Sequence, residues 1–198
     1  QGNLVIGSLN GLILFNKKTG VSKLIPESYN LVGDKNPVQV RSLSRNKSNQ
    51  IWAGTYSSGL YLLDSNYKIL KHYLHDSTDN SSLSSNRITC IFIDTKKNVW
   101  IGTRNGLNLY NEIDDNFTIY KNDTINLNSI SSNVVTAVCE DKSNCIWVGT
   151  WRGGLNKLIS PGIFINFKNN EADIYSLSND VVMSLFVDRS NVLWIGTW

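Results

Sequence analysis

The chain has 198 residues, 41% hydrophobic and 18% charged, with a formal net charge of +3. This is the composition of a folding chain with enough apolar material for a core, and it excludes a disordered one. The charge is too small to point to nucleic acid or an anionic membrane, and no apolar run approaches the roughly 18 residues that a bilayer crossing needs.

In chain order, one short pattern returns five times. It appears as QGNLVIGSLNGLILF (1–15), KSNQIWAGTYSSGLYLL (47–63), KKNVWIGTRNGLNLY (96–110), DKSNCIWVGTWRGGLNKL (141–158) and RSNVLWIGTW (189–198). Aligned on W-x-G-T, the anchors are Val5, Trp52, Trp100, Trp147 and Trp194, spaced by 47, 48, 47 and 47 residues. A period in the high forties is that of a repeat architecture. Residue 1 falls inside a copy, so the chain reads as a piece of something longer.

Within one period, NVVTAVCED (133–141), CIWVGTW (145–151), LNKLI (155–159) and IFINFKN (163–169) are short and rich in β-branched and aromatic residues. Gly, Asn and Pro punctuate the gaps, and helical periodicity is absent. Four strands per period predict an all-β fold, a β-propeller of four-stranded antiparallel blades with about four repeats. The expected divisions of a single propeller domain or fragment over 1–198 are a partial blade over 1–37 (strands two to four), blades over 38–85, 86–132 and 133–178, and a partial blade over 179–198 (strands one and two). Two arrangements are open. NDVVMSLFVD (179–188) supplies the missing first strand of the N-terminal blade and closes a four-bladed ring, or the chain is an open arc. Bare edges on an arc invite self-association or the remaining blades of a larger ring. The arc is the stronger expectation, because closure would duplicate the anchor strand at Val5 and Trp194.

Repeat columns assign structural roles. Asn46, Asp94, Asp141 and Asp188 stand six residues before the tryptophans and are expected to start the turn between strands one and two. Gly54, Gly102, Gly149 and Gly196 stand two residues after them. A glycine inside a strand marks a close approach, expected here from an aromatic of the neighbouring blade. Ser42, Cys90, Ala137 and Ser184 are small, as inner strands converging on an axis require. Trp52, Trp100, Trp147 and Trp194 are read as wedges between blades, each burying ~150–250 Å². Cys90 and Cys139 read as buried fillers; a strained Cys139–Cys145 disulfide is the minor alternative.

The segments SLSSNRITCIFIDTKKNVWIGTRNGLN (82–108), SISSNVVTAVCEDKSNCIWVGTWRGGLN (129–156) and SLSNDVVMSLFVDRSNVLWIGTW (176–198) resemble two-component regulator propeller repeats. The first copy departs most, with Val5 for Trp and Ser8 for Thr, and the second has GDKNPVQV (33–40) in place of the S-L-S-S-N lead-in. The resemblance implies seven-bladed rings, often two in tandem. It also implies the extracytoplasmic sensor region of membrane histidine kinases, many of them hybrid two-component systems that respond to oligosaccharides. A β-sandwich, a transmembrane helix and a kinase normally follow in that family.

Antiparallel alternation places the S-L-S-S-N and G-T-x-x-G loops on one face, the crown. The turns 94–98, 141–144 and 188–191 fall on the other. Four residues past each anchor come Leu9, Tyr56, Arg104, Trp151 and Trp198, and Asn105 and Arg152 follow two of them. Tyr56, Arg104, Asn105, Trp151, Arg152 and Trp198 are therefore the candidate ligand residues. Aromatic platforms stack on a sugar ring, amides and guanidinium groups bind hydroxyls, and arginine also pairs with carboxylate or sulfate. The competing reading is packing, since Trp151 and Trp198 share the strand parity of the wedge tryptophans.

No nucleophile motif is present, and no cofactor or metal is expected. His72 and His75, in KHYLH (71–75), read as an outer strand or loop. The aspartates of the repeat column occupy equivalent turns of different blades, too far apart for paired acid–base work. The sequence reading is thus a binding domain with no catalysis of its own and no nucleic-acid or membrane contact. The alternative is a protein-interaction scaffold, in which a protein covers Trp151 and Trp198.

Overall fold

A computed structural model describes residues 2–25 and 38–198. Residue 1 and residues 26–37 lie outside the described residues, and with them fall the end of the 1–37 segment and the start of GDKNPVQV.

The described strands form five antiparallel sheets. The first holds β1 (Asn3–Ser8), β2 (Gly11–Asn16) and β3 (Ser22–Leu24). The second holds β4 (Val40–Arg45), β5 (Ile51–Thr55), β6 (Leu60–Leu63) and β7 (Ile69–Tyr73). The third holds β8 (Ile88–Ile93), β9 (Val99–Thr103), β10 (Gly106–Asn111) and β11 (Asn116–Tyr120). The fourth holds β12 (Val135–Glu140), β13 (Ile146–Thr150), β14 (Gly154–Ser160) and β15 (Ile163–Phe167), and the fifth β16 (Val182–Val187) and β17 (Leu193–Thr197). Strands pair in chain order within each sheet, the meander of a propeller blade. Among the described residues β16 pairs only with β17 and β1 only with β2, so 179–188 does not complete the N-terminal sheet.

Local chemistry explains the repeat. Each turn between strands one and two holds its fourth residue at positive φ: Asn49 (61°), Lys97 (71°), Asn144 (61°) and Asn191 (66°). Three of the four are asparagine, which tolerates the left-handed region. Strands β5 and β9 are buried along their whole length, because neighbouring sheets cover both faces. That is why they read as unbroken apolar runs rather than alternating ones.

The register of strand one slips between Val40 and Ser42, Ile88 and Cys90, Val135 and Ala137, and Val182 and Ser184. This recurrent irregularity marks the point where a β-branched side chain meets the preceding sheet. A Cβ on Gly7 would lie 2.9 Å from Val40 Cγ1, one on Gly102 2.7 Å from Val135 Cγ1, and one on Gly149 2.7 Å from Val182 Cγ1. Ile88 fills the same space against Gly54. The neighbour that requires glycine is therefore an aliphatic β-branched residue and not the aromatic expected from the pattern.

The wedges occupy the seams. Val5 packs with Val38, Val40, Ile51 and Tyr61 between the first and second sheets. Trp52, 2% exposed, packs with Ile88, Ile91 and Phe117 of the third sheet. Trp100, 3% exposed, packs with Val135, Val148 and Phe164 of the fourth. Trp147 is half-buried, because the fifth sheet contributes only its two inner strands. Trp194 departs from the expectation of a buried wedge: it is 59% exposed, with no further sheet over it among the described residues. Cys90, Cys139 and Cys145 are free thiols, so the disulfide alternative falls. Burial pushes the Cys90 thiol up to about 11 and that of Cys139 to about 12, which leaves both unreactive.

Candidate functional site

The crown is built by hydrogen bonds that tie each lead-in loop to the preceding blade and to its own blade. Gly59, Gly106 and Gly154 N–H groups donate to the carbonyls of Asn86, Asn133 and Asp180 in the next lead-in loop, at 3.0, 2.7 and 2.8 Å. The hydroxyls of Ser84 and Thr103 meet at 2.8 Å, those of Ser131 and Thr150 at 3.2 Å, and those of Ser178 and Thr197 at 2.8 Å. Buried Asn108 accepts from the Ser84 N–H (2.9 Å), and buried Asn156 from that of Ser131 (2.8 Å). Much of the polar content of S-L-S-S-N and G-T-x-x-G is therefore spent on joining loops.

The residue four past each anchor sits on this scaffold. Tyr56, Arg104, Trp151 and Trp198 donate their N–H groups to Gln39, Arg87, Val134 and Val181, just before strand one, at 2.9, 3.1, 2.9 and 3.1 Å. These residues therefore cluster where the inner strands begin. Trp151 and Trp198 meet edge to face across the last seam, with centroids 5.3 Å apart. Trp151 is half-buried and Trp198 77% exposed. Arg152 is exposed and held at φ 59°. Asn105 donates its side-chain amide to the Ser84 carbonyl at 3.1 Å, so it shapes the loop. Around Tyr56 the structure adds two residues that the sequence columns passed over. Arg41 Cζ lies 4.9 Å and Arg87 Cζ 5.4 Å from the ring centre. Their signal was an arginine at columns in and just before strand one that carry no charge in the other copies.

The opposite face is structural. Asp94, Asp141 and Asp188 each accept the indole N–H of their own anchor, Trp100, Trp147 and Trp194, at 3.0, 2.8 and 2.9 Å. The same carboxylates accept turn N–H groups from Asn98, Cys145 and Val192. The constant offset of six residues thus fixes the ring orientation as well as the turn. The indole of Trp194 and the N–H groups of Val192 and Ser190 hold the Asp188 carboxyl below its usual range. A groove of about 1090 Å³ on this face lies over Trp52, Leu62 and Tyr110, with Arg45 at the end of β4 and Lys47, Lys96 and Lys97 on the exposed hairpin turns at its rim.

At the outer strands, Asp115 Oδ1 accepts from the hydroxyls of Tyr73 (2.6 Å) and Tyr110 (2.7 Å), and Lys71 Nζ lies 2.7 Å from Oδ2. The hydrogen bonds from Lys71, then Tyr73, pull the Asp115 carboxyl down to about 2. His72 Nε2 and His75 Nδ1 are engaged with the carbonyls of Ser58 (2.9 Å) and Leu83 (2.6 Å), and His72 stacks on Tyr61 at 4.0 Å. Among the described residues no group of three His, Cys, Asp or Glu is placed to hold a metal ion.

Lead-in loop, strand, turn and anchor strand are the unit that relatives share. Residues 82–105, 129–152 and 176–198 each match the two component regulator propeller family. The chain carries two-component regulator propeller repeats. Over 112 residues it is 33% identical to the histidine kinase P4 of Formosa agariphila, a match covering 54% of this chain and 8% of that protein. The propeller superposes over its full length on the extracellular domain ascribed to a hybrid two-component system of B. thetaiotaomicron. The TM-score is 0.78 and the identity 26%, over 24% of that chain. Virginiamycin B lyase from Staphylococcus aureus shares the fold alone, at 13% identity and a TM-score of 0.59, over 80% of this chain and 48% of the lyase. The propeller repeats thus span a small part of the proteins they match. No helix among the described residues is long and apolar enough to cross a membrane.

Proposed function

We propose that these repeats are an arc of the extracytoplasmic sensor propeller of a membrane-anchored bacterial two-component kinase. Their crown binds a signal such as an oligosaccharide without transforming it. The observation that carries this reading is the Trp151–Trp198 pair, one ring half-buried and the other 77% exposed, on the face where the loops converge. Indole offers a flat apolar platform to a pyranose face, and the neighbouring Arg152 offers donors to its hydroxyls. The likeness to an extracellular domain of a hybrid two-component system supports the location. Kinase chemistry belongs to another part of such a protein. The exposed Phe186 and Trp194 face further blades of the ring or a second copy.

A protein-interaction scaffold is the second reading, favoured because Met183 is 47% exposed on the same sheet and extends the apolar surface. Thermal-shift and calorimetric titration of the full chain with a panel of oligosaccharides separates the two. Sensing predicts a shift with at least one glycan, and about a tenfold loss of affinity in Trp198→Ala with unchanged melting of the free protein. No response to any oligosaccharide overturns sugar sensing.

A further inference from the structure

The crown has two unlike halves. The last seam is aromatic, whereas the seam between the second and third sheets is basic. Arg41 and Arg87 flank the Tyr56 ring at 4.9 and 5.4 Å, and Arg104 is tied to Arg87 by its backbone N–H at 3.1 Å. All three arginines are exposed. Among the described residues no carboxylate lies within 4.0 Å of any of the three; the recorded ion pair joins Lys71 to Asp115 on the outer strands.

The blade itself does not ask for these charges. The column of Arg41 holds Thr89, Thr136 and Met183 in the other copies, and that of Arg87 holds Gln39, Val134 and Val181. Gathering like charges without an internal counter-ion is unfavourable, so the arrangement suits a partner that brings the negative charge. The ring of Tyr56 orients the guanidinium groups by cation–π contact, and their planar forks match a carboxylate or sulfate in two-point geometry.

We infer that the Arg41–Tyr56–Arg87 seam, with Arg104 beside it, binds the anionic group of an acidic oligosaccharide, a uronate carboxylate or a sulfate ester. The inference rests on the reading of the crown as a sugar-sensing face and narrows it. The test is calorimetry on the full chain with two matched pairs: trigalacturonate against its methyl ester, and sulfated against unsulfated galactotriose. At least one acidic member binds about tenfold tighter than its neutral counterpart, and about 0.5 M NaCl removes most of that margin. Which pair shows the margin distinguishes carboxylate from sulfate. Arg41→Ala combined with Arg87→Ala abolishes the preference, so that acidic and neutral members of the pair bind alike. Arg45→Ala, on the opposite face, keeps the preference. Neutral and acidic sugars binding equally overturns this inference and leaves sugar sensing standing. Binding of none of the four sugars, or of any sugar in the wider panel, removes both.

Discussion

The seams at Trp100 and Trp194 use the same local sequence and end differently. Both indoles donate to an aspartate six residues back, and both stand two residues before a glycine. Trp100 is 3% exposed beneath the fourth sheet, whereas Trp194 is 59% exposed. The hairpin and its Asp–indole bond are alike at the two sites, and the burial of the ring is what differs. The stability of a blade lies mostly in its contact with the next one, as in other repeat architectures.

The sharpest way to break this comparison is Trp100→Ala against Trp194→Ala. Chemical denaturation should show a loss of ~3–5 kcal/mol for the first and under ~1 kcal/mol for the second. Equal losses would mean that the indole stabilises its own hairpin rather than the seam. Asp94→Ala comes next, since it strips acceptors from the Trp100 indole and the Asn98 N–H and should cost ~1–3 kcal/mol. Asp188→Ala, whose partners reach water, should cost less in the same assay. Gly102→Ala pushes a methyl against Val135 and Cys90 and should cost ~1–3 kcal/mol. In Gly196→Ala the new methyl meets only the Ser184 hydroxyl, which can rotate, so the melting temperature should barely move.

The smallest effect concerns acid. The carboxyl of Asp115 is lowered from 3.8 to about 2 in the folded protein. A depressed folded value contributes stability above pH 3.8 that drains away as pH falls toward about 2. Asp115→Asn should flatten the pH dependence of the denaturation midpoint within that window and leave it unchanged in shape above it. A parallel curve for the variant would show that the Lys71–Asp115–Tyr73 contact does not couple to folding.

The anchors at Trp52 and Trp100, the strands around them and the assignment of loops to a crown were legible because short-range chemistry sets them. The role of Asp94 was half legible: the turn could be read, but the indole bond across it required the ring orientation. The partner of Gly54 was misread because a glycine records that something is close and not what it is. At the crown, Tyr56 and Trp198 stood out by column, whereas Arg41 and Arg87 did not. Their meaning arises only when two blades bring both guanidinium groups to one ring.

By itself the sequence determined the period, the strand content and the turn and anchor chemistry, since each depends on residues a few positions apart. Tertiary structure alone decided which anchors are buried, that an aliphatic side chain of the next sheet fills the gap at Gly54, Gly102 and Gly149, and that unpaired arginines gather beside Tyr56. Most of those outcomes join residues some thirty or more positions apart across a seam, where packing between sheets, and not local preference, sets the contact.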